Sequence, residues 1–339
     1  MADESVATSW QAAELEAVVA CPCCGATPGT YRYRNLRDHL EHVPGEWSMR
    51  DCPSCGCLML DPRPTLQAIG RAYASYYTHG PAVSSYDEDN GRSLFWKLAN
   101  GYMNARYKSQ RTPAATAGRW LIPLLFPLRQ QLDFFYRQLP PEPGRLLDVG
   151  CGNGVFLLRA KAAGWNVVGL EPDPHAVAQV RQSGLDVHQG TLDTFDQPGS
   201  FDVITTSHVI EHVHDPKVFL DQLFRLLRRD GKLWLATPNV KSMGHRHFGK
   251  AWRGLEPPRH LTIFSASALL SMLTATGFVD IQFLHRGRGA SYILGASREL
   301  AKKENADVGM LPTSLVDLRA SLDPKAGEEL IVTARKPSR

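Results

Sequence analysis

Apolar positions in the second half of the chain recur in blocks of two kinds, short runs and helical stripes. Residues 145–149 form an apolar run ending at Gly150, the pattern of a strand buried on both faces. Residues 155–163 have helical spacing and stop at Gly164. A second run covers 166–170, and a helix follows over 175–183, ended by Gly184. A third clear strand is predicted over 201–206. In 216–229 the residues Val218, Phe219, Leu223, Leu226 and Leu227 fall on one helical face. Asp230 and Gly231 then read as a turn into a strand over 232–237. A helix over 267–276 stops at Gly277, and 278–284 and 329–334 read as two more strands. Strands alternating with helices predict an α/β fold: a Rossmann-like, doubly wound, mostly parallel sheet of seven strands.

The first 140 residues lack this alternation. Residues 1–20 are a polar, Ala-rich leader, expected to be frayed or a short helix. Residues 21–60 are a cysteine module with Gly and Pro turns, and 61–140 are mainly helical, a linker or lid with Pro and Gly breaks. Residues 141–339 make the α/β domain. A length of 339 residues fits one full domain plus a smaller module. Hydrophobic content of 43% and charged content of 21% are those of a soluble globular protein. The net charge of +4 permits an anionic partner without requiring one. Asp3 and Glu4 stand where a secretory signal would be positive, and the longest apolar stretch, 121–128, is broken by Pro123 and Pro127. A cytoplasmic protein is expected, with peripheral contact to the inner face of the membrane left open.

The sharpest motif is Leu147, Asp148, Val149, Gly150, Cys151, Gly152, Asn153, Gly154, which follows a strand and opens a helix. Glycines there let the backbone turn tightly and approach a ligand. Their spacing lacks the gap of the dinucleotide fingerprint, which disfavours NAD. The acid before them suits an ammonium better than a pyrophosphate. Glu171 lies at the tip of the next strand, where a carboxylate can accept both ribose hydroxyls. The arrangement resembles the class I methyltransferases that use S-adenosylmethionine (SAM), over about residues 143–286. The resemblance implies that Asp148 and the turn Gly150, Cys151, Gly152 and Gly154 hold the amino-acid half of SAM. Glu171, followed by Pro172, would hold the ribose, with Leu192 and Asp193 beside the adenine. Ser207, at the end of the third clear strand, completes the set on the cofactor side.

Ligands in open α/β sheets sit beyond the carboxyl ends of the strands. One segment expected there is 207–216, with His208, Glu211 and His212. Its His-x-x-Glu-His pattern also matches an inverted zinc-protease motif, but that motif needs a long helix and here a strand leads straight in. The run Val209, Ile210, Glu211, His212, Val213 resembles the ubiquinone-biosynthesis O-methyltransferases, some of which bind a divalent cation through two acids and a histidine of this loop. Glu211 and His212 match; the other acid falls at His208, a departure that leaves a magnesium site in question. His212 has three readings: general base, metal ligand, or simple partner of Glu211. A second segment, 237–264, holds His245, Arg246, His247, Lys250, Trp252, Arg253, Arg259 and His260 against Glu256 alone. Its stretch 254–265 resembles the substrate-side segment of a broad bacterial methyltransferase family. Such a loop suits an anionic acceptor contacted by Trp252, Arg259 or His260; the plain alternative is a solvated cationic loop. Attack of an alcohol or phenol on the SAM methyl needs a proton removed, and His260 and His212 are the candidate bases.

Six of the seven cysteines lie between Cys21 and Cys57, which points to a metal rather than disulfides. Cys21 with Cys24, and Cys52 with Cys55, are two C-x-x-C knuckles, each followed by Gly, the spacing of a four-thiolate zinc ribbon. Such a site is closed and structural; redox use of the thiols is the alternative. Cys23 and Cys57 are spare. Between 92 and 137 Asp133 is the only acid, among basic and aromatic residues that include Arg92, Arg119, Trp120 and Phe126. That mixture reads as a lid packed on the core, a membrane-surface contact, or, less favoured, a nucleic-acid surface. The expected function is SAM-dependent methylation of a small-molecule or glycan acceptor, preferentially at oxygen, in polysaccharide or secondary-metabolite synthesis. An RNA methyltransferase docking through ribbon and linker, and a non-catalytic SAM-binding protein, are the alternatives.

Overall fold

The computed structural model describes residues 10–74 and 93–338. Residues 1–9 of the leader and Arg92 of the basic stretch lie outside the described residues. The strands are β1 (Leu15–Glu16), β2 (Tyr31–Leu36), β3 (Trp47–Asp51), β4 (Leu58–Leu60), β5 (Arg63–Pro64), β6 (Arg145–Val149), β7 (Asn166–Glu171), β8 (Asp186–Gln189), β9 (Phe201–Ser207), β10 (Leu227–Pro238), β11 (Thr262–Ile263), β12 (Val279–Phe283) and β13 (Glu329–Arg335).

Seven of them form one sheet in the order β12-β13-β10-β9-β6-β7-β8. β8, β7, β6, β9 and β10 run parallel, and β13 enters antiparallel between β10 and β12. The expected seven-stranded, mostly parallel, doubly wound sheet is therefore present. The chain reverses direction across the sheet between β6 and β9, the place where such folds open a crevice. The pleat divides the apolar residues between two faces. Leu147, Ile204 and Leu233 pack with Phe219 and Leu223 of helix Pro216–Leu226 and with Leu269 and Met272 of helix Ala266–Thr276. Leu146 and Val203 pack on the other face with Leu157 of helix Val155–Ala162, Val180 of helix Pro174–Gln182 and Met103 of helix Leu94–Tyr107. Helix Pro216–Leu226 starts where Asp215 accepts from the N–H groups of Lys217 and Val218 at 3.0 and 3.1 Å, with Pro216 at its first position. It buries Phe219, Leu220, Leu223 and Leu226, each worth about 1.5–3 kcal/mol.

Several expectations need correction. Asp230 and Gly231 do not precede a strand; they are an irregularity inside β10, between the pairs Leu227–Phe201 and Lys232–Val203. The leader's described part holds the expected short helix, a single 3-10 turn at Ala12–Glu14, and adds a strand: β1 pairs antiparallel with β5, and the Val18 N–H donates to Asp61 at 2.9 Å. The 61–140 stretch thus opens with a strand before its helices Leu94–Tyr107, Gly118–Leu121 and Phe126–Phe135. Helices Ala290–Lys303 and Thr313–Leu322 fill the part the apolar pattern left unassigned. The cysteine module shares a sheet with the α/β domain. β2, β3 and β4 form an antiparallel sheet whose fourth strand is β11 of the α/β domain, with Met59 opposite Thr262 and Leu58 opposite Ile263.

Candidate active site

Gly150, Gly152 and Gly154 all have positive φ, at 70°, 52° and 76°, so the turn between β6 and its helix needs glycine at each. A Cβ on Gly150 would come within 2.4 Å of Val209, whereas a Cβ on Gly152 would meet nothing within 4 Å. Gly152 thus faces open space at the end of the sheet. Its N–H donates to Glu171 at 2.8 Å, and the second Glu171 oxygen accepts from the Asp173 N–H at 3.1 Å. Burial pushes the Glu171 carboxyl up. Asp148 is fully buried, and one of its oxygens accepts from Thr205 at 2.9 Å and from Arg137. The other oxygen, Oδ2, is buried with no partner among the described residues. Arg137 follows helix Phe126–Phe135 with its guanidinium packed over Phe156, 3.9 Å from the ring centre. Thr205 stands outside every motif, and Arg137 stands out in the sequence only as one of the basic residues of 92–137.

Other cofactor-side residues separate into two groups. Cys151 is buried, and its sulfur packs against Gly169 of β7. Leu192 is buried in the core. Asp193 and Pro172 are exposed and Ser207 half-buried. Asp193 accepts a hydrogen bond from Gln222 at 2.7 Å.

The loop after β9 is a charge network. His208 lies between two carboxylates, Nδ1 at 3.1 Å from Glu211 and Nε2 at 2.6 Å from Glu329. Burial opposes charging the ring, but the two acids outweigh it and raise His208 to about 10. His208 is therefore an imidazolium near neutral pH. Glu211 is fully buried and takes its second hydrogen bond from Thr237 at 2.9 Å. Glu329 also pairs with Arg286 at 3.3 Å. Because β13 is antiparallel, its first residue lies at the edge where the parallel strands end, which is how Glu329 reaches the site.

His212 and His260 face each other edge to face, with ring centres 4.7 Å apart. His212 Nδ1 is 2.9 Å from the Tyr73 hydroxyl and 3.1 Å from the Arg259 carbonyl. His260 Nδ1 is 2.8 Å from the Gly254 carbonyl, which fixes the proton there and leaves Nε2 as the acceptor, 3.5 Å from Glu256. Burial lowers His260 to about 4 although Glu256 and Glu211 pull the other way. The ring is neutral at pH 7.

The rest of the basic segment differs from the expected cationic loop. Arg259 is fully buried; it donates to Asp38 at 2.7 and 3.0 Å and to Glu256 at 3.0 Å. Trp252 is buried with its indole N–H on Glu328 at 2.8 Å. His245 is buried between the Val240 carbonyl and the Tyr33 hydroxyl. Lys250 pairs with Glu304 at 2.6 Å. Arg259 and Trp252 are wall supports rather than contact groups, and the positive charge of Arg259 and Lys250 is matched by acids from distant parts of the chain.

Residues 125–282 match the family described as "Methyltransferase domain". The chain is 32% identical over 184 residues to a ubiquinone biosynthesis O-methyltransferase of Aromatoleum aromaticum, covering 52% of this chain and 72% of that one. This chain belongs to the SAM-dependent methyltransferase family. A ubiquinone biosynthesis O-methyltransferase of Xanthomonas oryzae pv. oryzae is 34% identical over 142 residues, 37% of this chain and 59% of that one. The chain thus spans about three fifths of that relative's length. Among solved structures, a SAM-dependent methyltransferase from Mesorhizobium loti is 19% identical, with 61% of this chain and 98% of that chain covered at a TM-score of 0.43.

Among the described residues, two groups could hold a metal. Cys21, Cys24, Cys52 and Cys55 bring their sulfurs within 4.8 Å of one another, with Cys21 to Cys55 at 3.6 Å and Cys24 to Cys52 at 3.5 Å. Tetrahedral zinc with bonds of about 2.3 Å separates its sulfurs by about 3.8 Å, so the donor set fits. Both knuckles fold alike: the N–H of Gly25 donates to the Cys21 carbonyl at 2.8 Å and that of Gly56 to the Cys52 carbonyl at 2.9 Å. Four thiolates leave no open position, which makes the fitted role structural. Cys23 and Cys57 are buried outside this set. The second group is Glu211, His212 and His260. Magnesium demands oxygen ligands. Here two donors are imidazoles, and both Glu211 oxygens are already taken by His208 and Thr237. His208, where the second acid would stand, brings its own positive charge. The magnesium site does not fit.

Proposed function

We propose that this methyltransferase transfers a methyl group from SAM to an oxygen of a small-molecule or glycan acceptor. Bound SAM supplies a methyl already activated by its sulfonium, so most of the protein's work is positioning. The unpartnered Oδ2 of Asp148 and the open face of Gly152 support a seat for the amino-acid half. Glu171 would exchange its bonds to Gly152 and Asp173 for the ribose hydroxyls, with Asp193 near the adenine.

The observation that carries the oxygen reading is the neutral, buried His260. Its Nδ1 proton is held on Gly254, and its Nε2 lone pair lies beside Glu256. A proton leaving an acceptor hydroxyl can settle on Nε2, where the Glu256 charge stabilises the imidazolium. His212 is the alternative base, oriented by Tyr73. Polysaccharide or secondary-metabolite synthesis is the setting we favour.

The test is untargeted metabolite profiling of a strain lacking the protein. An accumulating species lighter by one methylene, converted by purified protein and SAM into an O-methyl product, supports the reading. A methyl found on nitrogen or carbon removes the oxygen assignment.

A further inference from the structure

Helix Leu94–Tyr107 and helix Gly118–Leu121 touch backbone to backbone. A Cβ on Gly101 would lie 1.8 Å from the Ala115 carbonyl, and one on Gly118 would lie 1.8 Å from that of Leu98. This contact holds the next stretch up as a ridge. In 120–126 the inward apolar anchor is Ile122, which is buried. Trp120, Leu124 and Leu125 are 68%, 76% and 54% exposed, and Leu121 and Phe126 are exposed beside them. Helix Thr313–Leu322 packs against helix Phe126–Phe135, with Gln130 donating to the Ser321 carbonyl at 3.2 Å. It adds exposed Leu318 and Leu322.

An exposed apolar ridge in a soluble protein marks an interaction surface, and the charge around this one selects the partner. Arg119 stacks over the Trp120 ring at 4.6 Å, and Arg319 is exposed between Leu318 and Leu322. From 93 to 138 the only acid is Asp133, which is turned inward onto the hydroxyls of Tyr102 and Tyr107, both at 2.7 Å. We propose that the ridge Trp120–Phe126, together with Leu318 and Leu322, seats on the surface of an anionic phospholipid bilayer. Tryptophan and leucine would enter the headgroup boundary while Arg119 and Arg319 meet lipid phosphates. No described helix is long and apolar enough to cross a membrane, so this is a contact in the plane of the interface. The proposal does not depend on the identity of the acceptor.

The experiment is flotation of the full chain with vesicles of phosphatidylglycerol and phosphatidylcholine, against pure phosphatidylcholine, at low and high salt. Sedimentation velocity without lipid runs alongside. The expected result is binding to the anionic vesicles, weakened by salt. Binding should fall at least tenfold in the double variant Trp120→Ser with Leu124→Ser, and severalfold in Arg119→Glu. Both variants alter exposed side chains, and their SAM affinity should stay unchanged, which reports an intact fold. Absence of binding to anionic vesicles at low salt overturns the proposal. So does equal binding by the variants, which would move the contact elsewhere. A concentration-dependent dimer abolished by the same variants, without lipid binding, would assign the ridge to a second copy of the chain instead.

Discussion

Asp38 of the cysteine module and Arg259 of the active-site segment form a two-pronged ion pair, at 2.7 and 3.0 Å, with both side chains buried. The pair joins residues 221 positions apart, and His260 is the next residue along. The module thus fixes a wall of the site from outside the α/β domain. Removing one member of a buried pair leaves the other charged and unpaired, at a cost of about 3–5 kcal/mol. Asp38→Asn should lose that much in urea denaturation, with full SAM binding once folded. A change under about 1 kcal/mol would mean that Glu256 alone suffices for Arg259.

Metal content tests the ribbon. Protein purified without chelator should carry about one zinc per chain at Cys21, Cys24, Cys52 and Cys55. Stripping the metal should abolish methyl transfer while calorimetry still detects SAM, because β11 pairs with β4 of the ribbon, whereas the Gly150–Gly154 turn is hydrogen-bonded to Leu170 of β7. Metal below a tenth of an equivalent would favour free or redox-active thiols.

Glu171→Ala should weaken SAM binding by about 1–3 kcal/mol through lost charge-assisted hydrogen bonds. Gly152→Ala should also weaken it, since a side chain there strains a backbone at φ 52°. Unchanged calorimetric affinity in Glu171→Ala removes the ribose contact.

Substitution separates the two candidate bases. If His260 takes the proton, His260→Ala should slow turnover by about 10²–10⁴-fold. The acid limb of the wild-type pH–rate profile should then lie near 4, where burial places this histidine. An acid limb that vanishes in His212→Ala but persists in His260→Ala assigns the base to His212. Near-full activity in both variants means an acceptor that needs no base.

His208 makes stability depend on pH in the opposite sense from a buried carboxylate. Its folded-state value is raised from 6.5 to about 10. Its contribution is complete below about 6.5 and is lost as pH rises through about 10. Denaturant midpoints should decline over that window, and His208→Gln should flatten the decline. Ring resonances of His208 that titrate near 6.5 would contradict the network.

The sheet was legible because its strands are apolar runs and the helices between them stop at glycines such as Gly164, Gly184 and Gly277, and Asp148, Gly152 and Glu171 fall where two of those runs stop. The active-site wall was not. Arg259 and Trp252 looked like contact groups because their partners, Asp38 and Glu328, lie 221 and 76 residues away. Glu329 was hidden for a different reason: a residue at the start of a strand reaches the carboxyl edge only if that strand runs antiparallel, and an apolar run does not carry its direction. The pairing of β1 with β5 was lost on short length, since two residues give no period to read.

The strand that β11 lends to the ribbon has a consequence for how this chain can be taken apart. Neither half possesses a finished border. A fragment beginning near residue 141 would carry Thr262 and Ile263 as a bare edge, with the Arg259 charge stripped of Asp38. A ribbon grafted from another enzyme would have to bring a matching edge and an acid at the place of Asp38. The two parts are therefore not interchangeable cassettes, and designers or evolution would have to alter them as a couple.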